Sequence, residues 1–106
     1  MRELQRIVTD AADRLGLHAT APTMLLDLQV RLGALAAEIV YATENGRRPY
    51  RPTQAWEPAL GDLAFALINL ADQTGVDLDQ ATRTAADRLY RSGLGQRRTE
   101  AGWPFD

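Results

Sequence analysis

The 106-residue sequence lacks cysteine and lysine altogether, and it has one histidine, His18. Without cysteine, the chain cannot form disulfides, use a thiolate nucleophile or bind a metal through sulfur. Without lysine, it cannot form a Schiff base or use a lysine as a general base. One imidazole is too few for a multi-histidine metal site in a single chain, and His18 is interpreted as a solvent-facing connector residue. Carboxylates, hydroxyls, amides and arginine remain as the reactive groups.

Long apolar runs and basic charge are missing as well. No apolar run reaches the ~18 residues that span a bilayer, and residues 1–5 do not resemble a signal peptide. The net charge of -2 argues against a nucleic-acid binder. A chain of this length supports one core. We therefore expect one cytoplasmic domain over residues 1–106 that binds neither nucleic acid nor membrane.

Apolar residues recur at helical spacing in four segments, which predicts an all-α protein with four helices. The first helix starts near Leu4 and ends near Gly16. The second runs from about Met24 to Glu44, with Thr23 as its N-cap and Asn45-Gly46 as its stop signal. The third runs from Trp56 to Thr74. The fourth is capped by Asp77, with Gln80 completing a capping box, and continues to about Ser92. Residues 93–106 form a C-terminal tail.

The second helix is apolar around most of its circumference. Its predicted core seam consists of Leu25, Leu28, Leu32, Leu35, Ile39 and Ala42. Further apolar residues, Leu26, Val30, Ala34, Ala37 and Val40, lie outside that seam. A helix of this kind needs partners on more than one side, and a short chain covers only part of it. The pattern favours a homodimer of four-helix bundles.

The stretch from Pro58 to Leu70, continuing from Gly75 to Ala81, resembles the third helix, turn and fourth helix of the MazG-like nucleoside-triphosphate pyrophosphohydrolases. The resemblance covers roughly residues 24–92. It implies a four-helix fold and cleavage of a nucleoside triphosphate to the monophosphate and pyrophosphate. It also implies Mg²⁺ held by an E-x-x-E motif on one helix and an E-x-x-D motif on the next.

The resemblance carries over two of those four carboxylates. Asp62 matches the acid of E-x-x-D, while Ala59 stands in place of the Glu. Glu38 matches one acid of E-x-x-E, and depending on the register Leu35 or Tyr41 replaces the other. The implied magnesium ligands are therefore Glu38 and Asp62. A structural alternative for Asp62 is a carboxylate near a helix N-terminus that pairs with an arginine or a tyrosine hydroxyl.

Six further residues are candidates for nucleotide or phosphate contacts: Arg47, Arg48, Arg51, Trp56, Asn69 and Arg88. Arginines suit phosphate oxygens, and an aromatic ring can stack on a base. All of them except Arg88 also have a plainer interpretation. The arginine loop is a solvated surface, Trp56 is a lid on the core, and Asn69 makes a buried polar contact between helices.

Three functional hypotheses follow from these residues. The first is a MazG-like homodimer whose magnesium-dependent hydrolysis is weak or lost and which binds a nucleotide or serves in assembly. The alternative is an active Mg²⁺-dependent hydrolase of a (deoxy)nucleoside triphosphate. The third is a protein-interaction module that docks another chain on its apolar second helix.

Overall fold

The computed structural model describes residues 2–96, and this part of the chain contains four α-helices and no β-strand. The helices are α1 (Arg2–Leu15), α2 (Ala21–Ala42), α3 (Trp56–Gln73) and α4 (Leu78–Gln96). The predicted all-α class and the four helices are confirmed. None of these helices is long and apolar enough to cross a membrane.

The end of α1 follows the predicted stop at Gly16. This residue has φ +67°, a left-handed conformation that glycine adopts without steric cost. The chain reversal is closed by a hydrogen bond of 2.9 Å from the Leu17 amide to the Ala12 carbonyl oxygen. Val8 and Ala12 are the buried residues of α1.

The start of α2 differs from the prediction, because Thr20 rather than Thr23 is the N-cap. The Thr20 hydroxyl oxygen accepts a hydrogen bond of 3.4 Å from the Thr23 amide, which lies inside the first turn. Pro22 permits this earlier start, since a first-turn residue needs no amide donor and proline already has a helical φ. The sequence-based choice of Thr23 was therefore wrong by three residues.

The end of α2 also comes earlier than predicted, at Ala42 instead of Glu44. Glu44, Asn45 and Gly46 all have positive φ angles, of 50°, 63° and 86°. The left-handed turn thus begins before the Asn45-Gly46 stop signal. Thr43 closes the helix, since its hydroxyl donates to the Ile39 carbonyl at 2.7 Å and accepts from the Gly46 amide at 3.0 Å.

Helix α3 lies at the centre of the fold and packs mainly against α2 and also against α1. Its predicted start at Trp56 is confirmed, and Thr74 is its C-cap residue. The buried apolar residues are few: Val8, Ala12, Met24, Leu35, Ala66, Ile68 and Ala71. Among the described residues, no large side chain is completely buried. The core within one chain is consequently thin.

The junction between α3 and α4 is held by polar residues of α1. The Gln5 side chain donates to the Val76 carbonyl and accepts from the Leu78 amide, both at 3.0 Å. Asp77 caps α4 as predicted, accepting from the Gln80 amide at 3.1 Å. The Gln80 side chain contacts Thr84 instead of returning to Asp77, so only half of the predicted capping box forms. Helix α4 continues past Ser92, and the remaining predicted tail, residues 97–106, lies outside the described residues.

The α2 seam that contacts α3 is displaced from the predicted one. Leu35 is buried, and Leu28 and Ala42 are partly buried, as predicted. Met24 is also buried, whereas Leu25, Leu32 and Ile39 are exposed by 49%, 56% and 40%. Helical periodicity identifies several apolar stripes on this helix, but only the packing of α3 selects the one that becomes core.

Candidate functional site

A cavity of about 450 Å³ lies between α2, α3 and the connector that joins α1 to α2. Its floor is apolar and includes Met24, Phe65 and Ala66. Its charged lining residues are Asp27, Arg31 and Asp62, and its polar ones are His18, Thr23 and Asn69. An apolar hollow with a few convergent polar groups is the usual form of a small-molecule site.

The Arg31 guanidinium lies near two carboxylates at the mouth of this cavity. Its Nε is 3.4 Å from Asp27 Oδ2, and its Nη1 is 3.9 Å from Asp62 Oδ2. All three side chains are about half exposed. Ion pairs this exposed contribute little stability, roughly 0–1 kcal/mol each. Their geometry is therefore easily changed by a ligand that competes for the same groups.

Asn69 forms part of the cavity wall and is 6% exposed. Its Nδ2 donates a hydrogen bond of 3.1 Å to the carbonyl oxygen of Leu17 in the α1–α2 connector. Its Oδ1 is buried and has no hydrogen-bond partner within the described part of the chain. The residue thus fixes the connector against α3 and keeps one acceptor without a donor.

His18 holds the same connector from its other side. Its Nε2 is 2.7 Å from Asp13 Oδ1 on α1, and its Nδ1 is 2.7 Å from Gln73 Nε2 on α3. Although the side chain is partly exposed, it links two helices instead of simply facing solvent. The prediction of a solvent-facing His18 is correct about its exposure and incomplete about its contacts.

The two predicted magnesium ligands have different partners in this structure. Asp62 lies near Arg31, whereas Glu38 accepts a hydrogen bond of 2.6 Å from the Thr53 hydroxyl. Arg31 and Glu38 are seven residues apart on α2, which corresponds to ~10 Å along the helix axis. Glu38 does not line the cavity. Within residues 2–96, no group of three or more histidines or carboxylates is arranged to hold a metal ion.

Trp56 and Tyr50 pack together at the N-terminus of α3, beside Glu38. Their rings meet edge to face, with centroids 5.5 Å apart and planes inclined by 63°. The Tyr50 hydroxyl is buried and has no hydrogen-bond partner among the described residues. This burial raises the pKa of Tyr50 above 10.0, and the Glu38 carboxylate adds to the effect. Trp56 thus packs against the loop before α3 through its contact with Tyr50.

The arginine loop forms a second hollow, separate from the cavity. Arg48 and Arg51 line this hollow together with Ala42 and Pro49, and Arg48 also pairs with Glu44 at 3.1 Å. Ala42 lies eleven residues after Arg31, or ~16 Å further along α2. Arg47 and Arg88 are exposed and line neither hollow. Of the six predicted contact residues, only Asn69 lines the cavity next to Asp62.

Sequence reasoning missed Asp27 and Arg31, although the sequence contains a signal for them. Helix α2 has three charged residues, Asp27, Arg31 and Glu38, in an otherwise uncharged helix of 22 residues. The first two are four positions apart and the third follows seven positions later, so all three lie on one flank of the helix. Because the charged residues of α2 lie on one flank, next to the stripe of α2 that packs against α3, they mark the side of α2 on which a polar site can form.

Comparisons of the chain with models of protein families, with curated proteins and with solved structures found no match.

Proposed function

We propose that this chain is a MazG-like homodimer with weak or lost hydrolysis, which binds a nucleotide through the cavity between α2 and α3. The observation that carries the proposal is the position of Arg31 at the cavity mouth. In the family that the sequence resembles, four carboxylates surround a magnesium ion. Here two carboxylates, Asp27 and Asp62, share one guanidinium.

The arginine changes the chemistry of the cavity, because its fixed positive charge offsets that of the neighbouring carboxylates. Two carboxylates and one guanidinium leave a net charge of about -1 at the cavity mouth. A bare triphosphate is repelled by this charge unless a divalent cation bridges it to the carboxylates. Hydrolysis needs that cation, so partial neutralisation by Arg31 favours binding over turnover.

The acceptors of the cavity indicate which part of a nucleotide it takes. The carboxylates of Asp27 and Asp62 at the mouth accept hydrogen bonds, while the Asn69 Oδ1 is buried in the wall. Nucleobase amino groups and sugar hydroxyls are donors that satisfy such acceptors. We therefore assign the nucleoside portion to the cavity and leave the phosphates at its solvent-facing mouth.

Assembly with a second copy belongs to the same proposal. Seven large apolar side chains of α2 are exposed: Leu25, Leu26, Val30, Leu32, Ile39, Val40 and Tyr41. A concentration of exposed apolar side chains on one helix is typical of interaction sites. It supports the expectation that a further chain covers α2.

Titration calorimetry tests the ligand part of the proposal. Nucleosides, monophosphates and triphosphates are titrated into the wild type, Asp62→Asn and Asp10→Asn, each with and without Mg²⁺. Asp10 is exposed on α1, so its substitution makes the same chemical change away from the cavity. We expect at least one nucleoside or monophosphate to bind the wild type and Asp10→Asn, and to bind Asp62→Asn about tenfold more weakly.

Pyrophosphate release, measured on the same proteins with Mg²⁺ and Mn²⁺, separates binding from catalysis. The proposal expects little or no turnover. Robust metal-dependent turnover that disappears in Asp62→Asn but persists in Asp10→Asn would replace it with the active-hydrolase alternative. Failure of every nucleotide to bind the folded wild type would overturn the ligand assignment.

A further inference from the structure

The face of α2 that lies opposite α3 carries a regular seam of small and apolar residues. We call it the outer seam; it consists of Leu26, Val30, Gly33, Ala37 and Val40. All five residues are exposed, and their spacing of four, three, four and three positions is that of a coiled-coil seam. Met24 and Leu35, which are buried against α3, lie on the opposite side of the helix. The outer seam is therefore a second packing surface on α2.

The outer seam is nearly symmetric about its middle residue, Gly33. Leu26 and Val40 lie seven positions on either side of it, and Val30 and Ala37 lie three and four positions away. In a two-fold interface residue i of one copy meets residue j of the other and the reverse, so a residue on the axis meets its own copy. Gly33 suits that place, because it has no side chain and the space beside it is open within one chain. The backbone of another helix can approach closely there.

We infer that the outer seams of two copies pack against each other in antiparallel orientation, with the two-fold axis at Gly33. Leu26 of one copy then faces Val40 of the other at each end of the pair. Small residues at the centre permit the shorter of the usual interhelical separations, ~8 Å. This inference rests on the self-assembly part of the proposed function and specifies its surface, orientation and axis.

Charge and area both favour a second copy as the occupant. The three charged residues of α2 lie on the flank beside α3, so the outer seam bears no charge that would attract or repel a partner. The exposed apolar side chains of α2 offer roughly 300–600 Å² in each copy. A standard interface takes about 800 Å² from each partner, so α2 supplies roughly 40–75% of it.

Cysteine cross-linking tests this arrangement cleanly, because the native chain has no cysteine. A disulfide needs Cα atoms about 4.4–6.8 Å apart, which only residues near the axis or in facing positions satisfy. Under mild oxidation, Gly33→Cys should form a covalent dimer in high yield. Asp10→Cys, exposed on α1, is the matched control and should stay largely uncross-linked.

Orientation is tested by mixing two singly substituted proteins. Leu26→Cys and Val40→Cys should each cross-link poorly alone and efficiently when mixed, since antiparallel packing places residue 26 against residue 40. Self-linking of Leu26→Cys without the mixture would establish a parallel pair and overturn the inference. Gly33→Arg, which brings two positive charges to the axis, should weaken the dimer at least tenfold in sedimentation velocity.

The molecular mass of the wild-type protein in solution, measured by sedimentation, shows whether it is a monomer or a dimer. This measurement distinguishes failure of the outer-seam interface from failure of the proposed self-assembly. A monomer at high micromolar concentration would overturn both, while calorimetry would still report on the cavity. A dimer in which Gly33→Cys cross-links no better than Asp10→Cys would overturn the outer-seam interface alone. A dimer unaffected by Gly33→Arg would do the same.

Discussion

Replacing Asn69 with Asp probes the most deeply buried polar group of the cavity wall. The substitution removes the amide donor that contacts the Leu17 carbonyl at 3.1 Å and places a carboxylate there. Asn69 is 6% exposed, so the new group is largely shielded from water. Burial disfavours the charged form and raises the carboxyl pKa above its unfolded value of about 3.9. The variant is therefore less stable than the wild type at neutral pH.

The size of the effect is bounded by two terms. Loss of one hydrogen bond costs about 1 kcal/mol. The buried carboxylate can instead become protonated, so that no charge is buried. Protonating a group with a reference pKa of about 3.9 at pH 7 costs about 4 kcal/mol, because each pH unit above the pKa costs 1.36 kcal/mol. We therefore expect a loss of about 2–4 kcal/mol at pH 7. Because the folded pKa is raised, the loss is small below about pH 4 and grows as pH rises towards the folded pKa.

Urea denaturation of the wild type, Asn69→Asp and Asn45→Asp at about pH 7 and pH 4 measures this effect. Asn45 is the other asparagine of the chain and is exposed, so its variant carries the same change of charge. We expect Asn45→Asp to stay within about 0.5 kcal/mol of the wild type. Equal stabilities of the two variants at neutral pH, or a loss for Asn69→Asp that does not change with pH, would refute the reasoning.

Two further predictions concern groups with shifted pKa values. Burial and the Glu38 carboxylate raise the pKa of Tyr50 in the folded protein, so deprotonation of its hydroxyl is easier in the unfolded chain. The folded protein therefore keeps its full stability below pH 10.0 and loses part of it as pH rises through the folded pKa of Tyr50. Tyr50→Phe should melt at or above the wild-type temperature at pH 7, because the buried hydroxyl has no partner among the described residues. Its advantage should grow above about pH 10.5, and an advantage that does not change with pH would contradict the burial argument. A hydrogen bond from Arg83 is the main cause that lowers the pKa of Asp79 from 3.8. The ionised Asp79 side chain therefore stabilises the folded protein above pH 3.8, and this stabilisation is lost as pH falls through the folded pKa. Asp79→Asn should melt below the wild type at pH 6 and close to it at about pH 2, while a difference that stays constant with pH would count against the Arg83 contact.

The local elements were predictable because short-range chemistry decides them. Helical spacing located all four helices, and Gly16 and Asp77 act as the stop and cap that their residue types indicate. The start of α2 was misplaced, because Thr20 and Thr23 are equally good caps and only the position of Pro22 in the first turn favours the earlier one. Caps that compete within three residues differ by too little energy for sequence alone to choose between them.

The cavity was predictable only in part. Asp62 and Asn69 were identified in sequence and both line it. Their neighbours Asp27 and Arg31 were not, because a solvated i, i+4 ion pair on a helix surface has the same spacing as a pair that borders a site. The partner of Glu38, Thr53, comes from a loop, where the chain path is set by the packing of Tyr50 and Trp56.

The sequence by itself determined the helical class, the number of helices and the excess of apolar surface on α2, because these depend on the periodicity and residue types of a single segment. The tertiary structure decided which stripe of α2 becomes core, which carboxylate Arg31 approaches, and which seam of α2 remains exposed. Those outcomes depend on the register of α2 against α3. That register is fixed by many weak contacts between residues distant in sequence, and no segment encodes it alone.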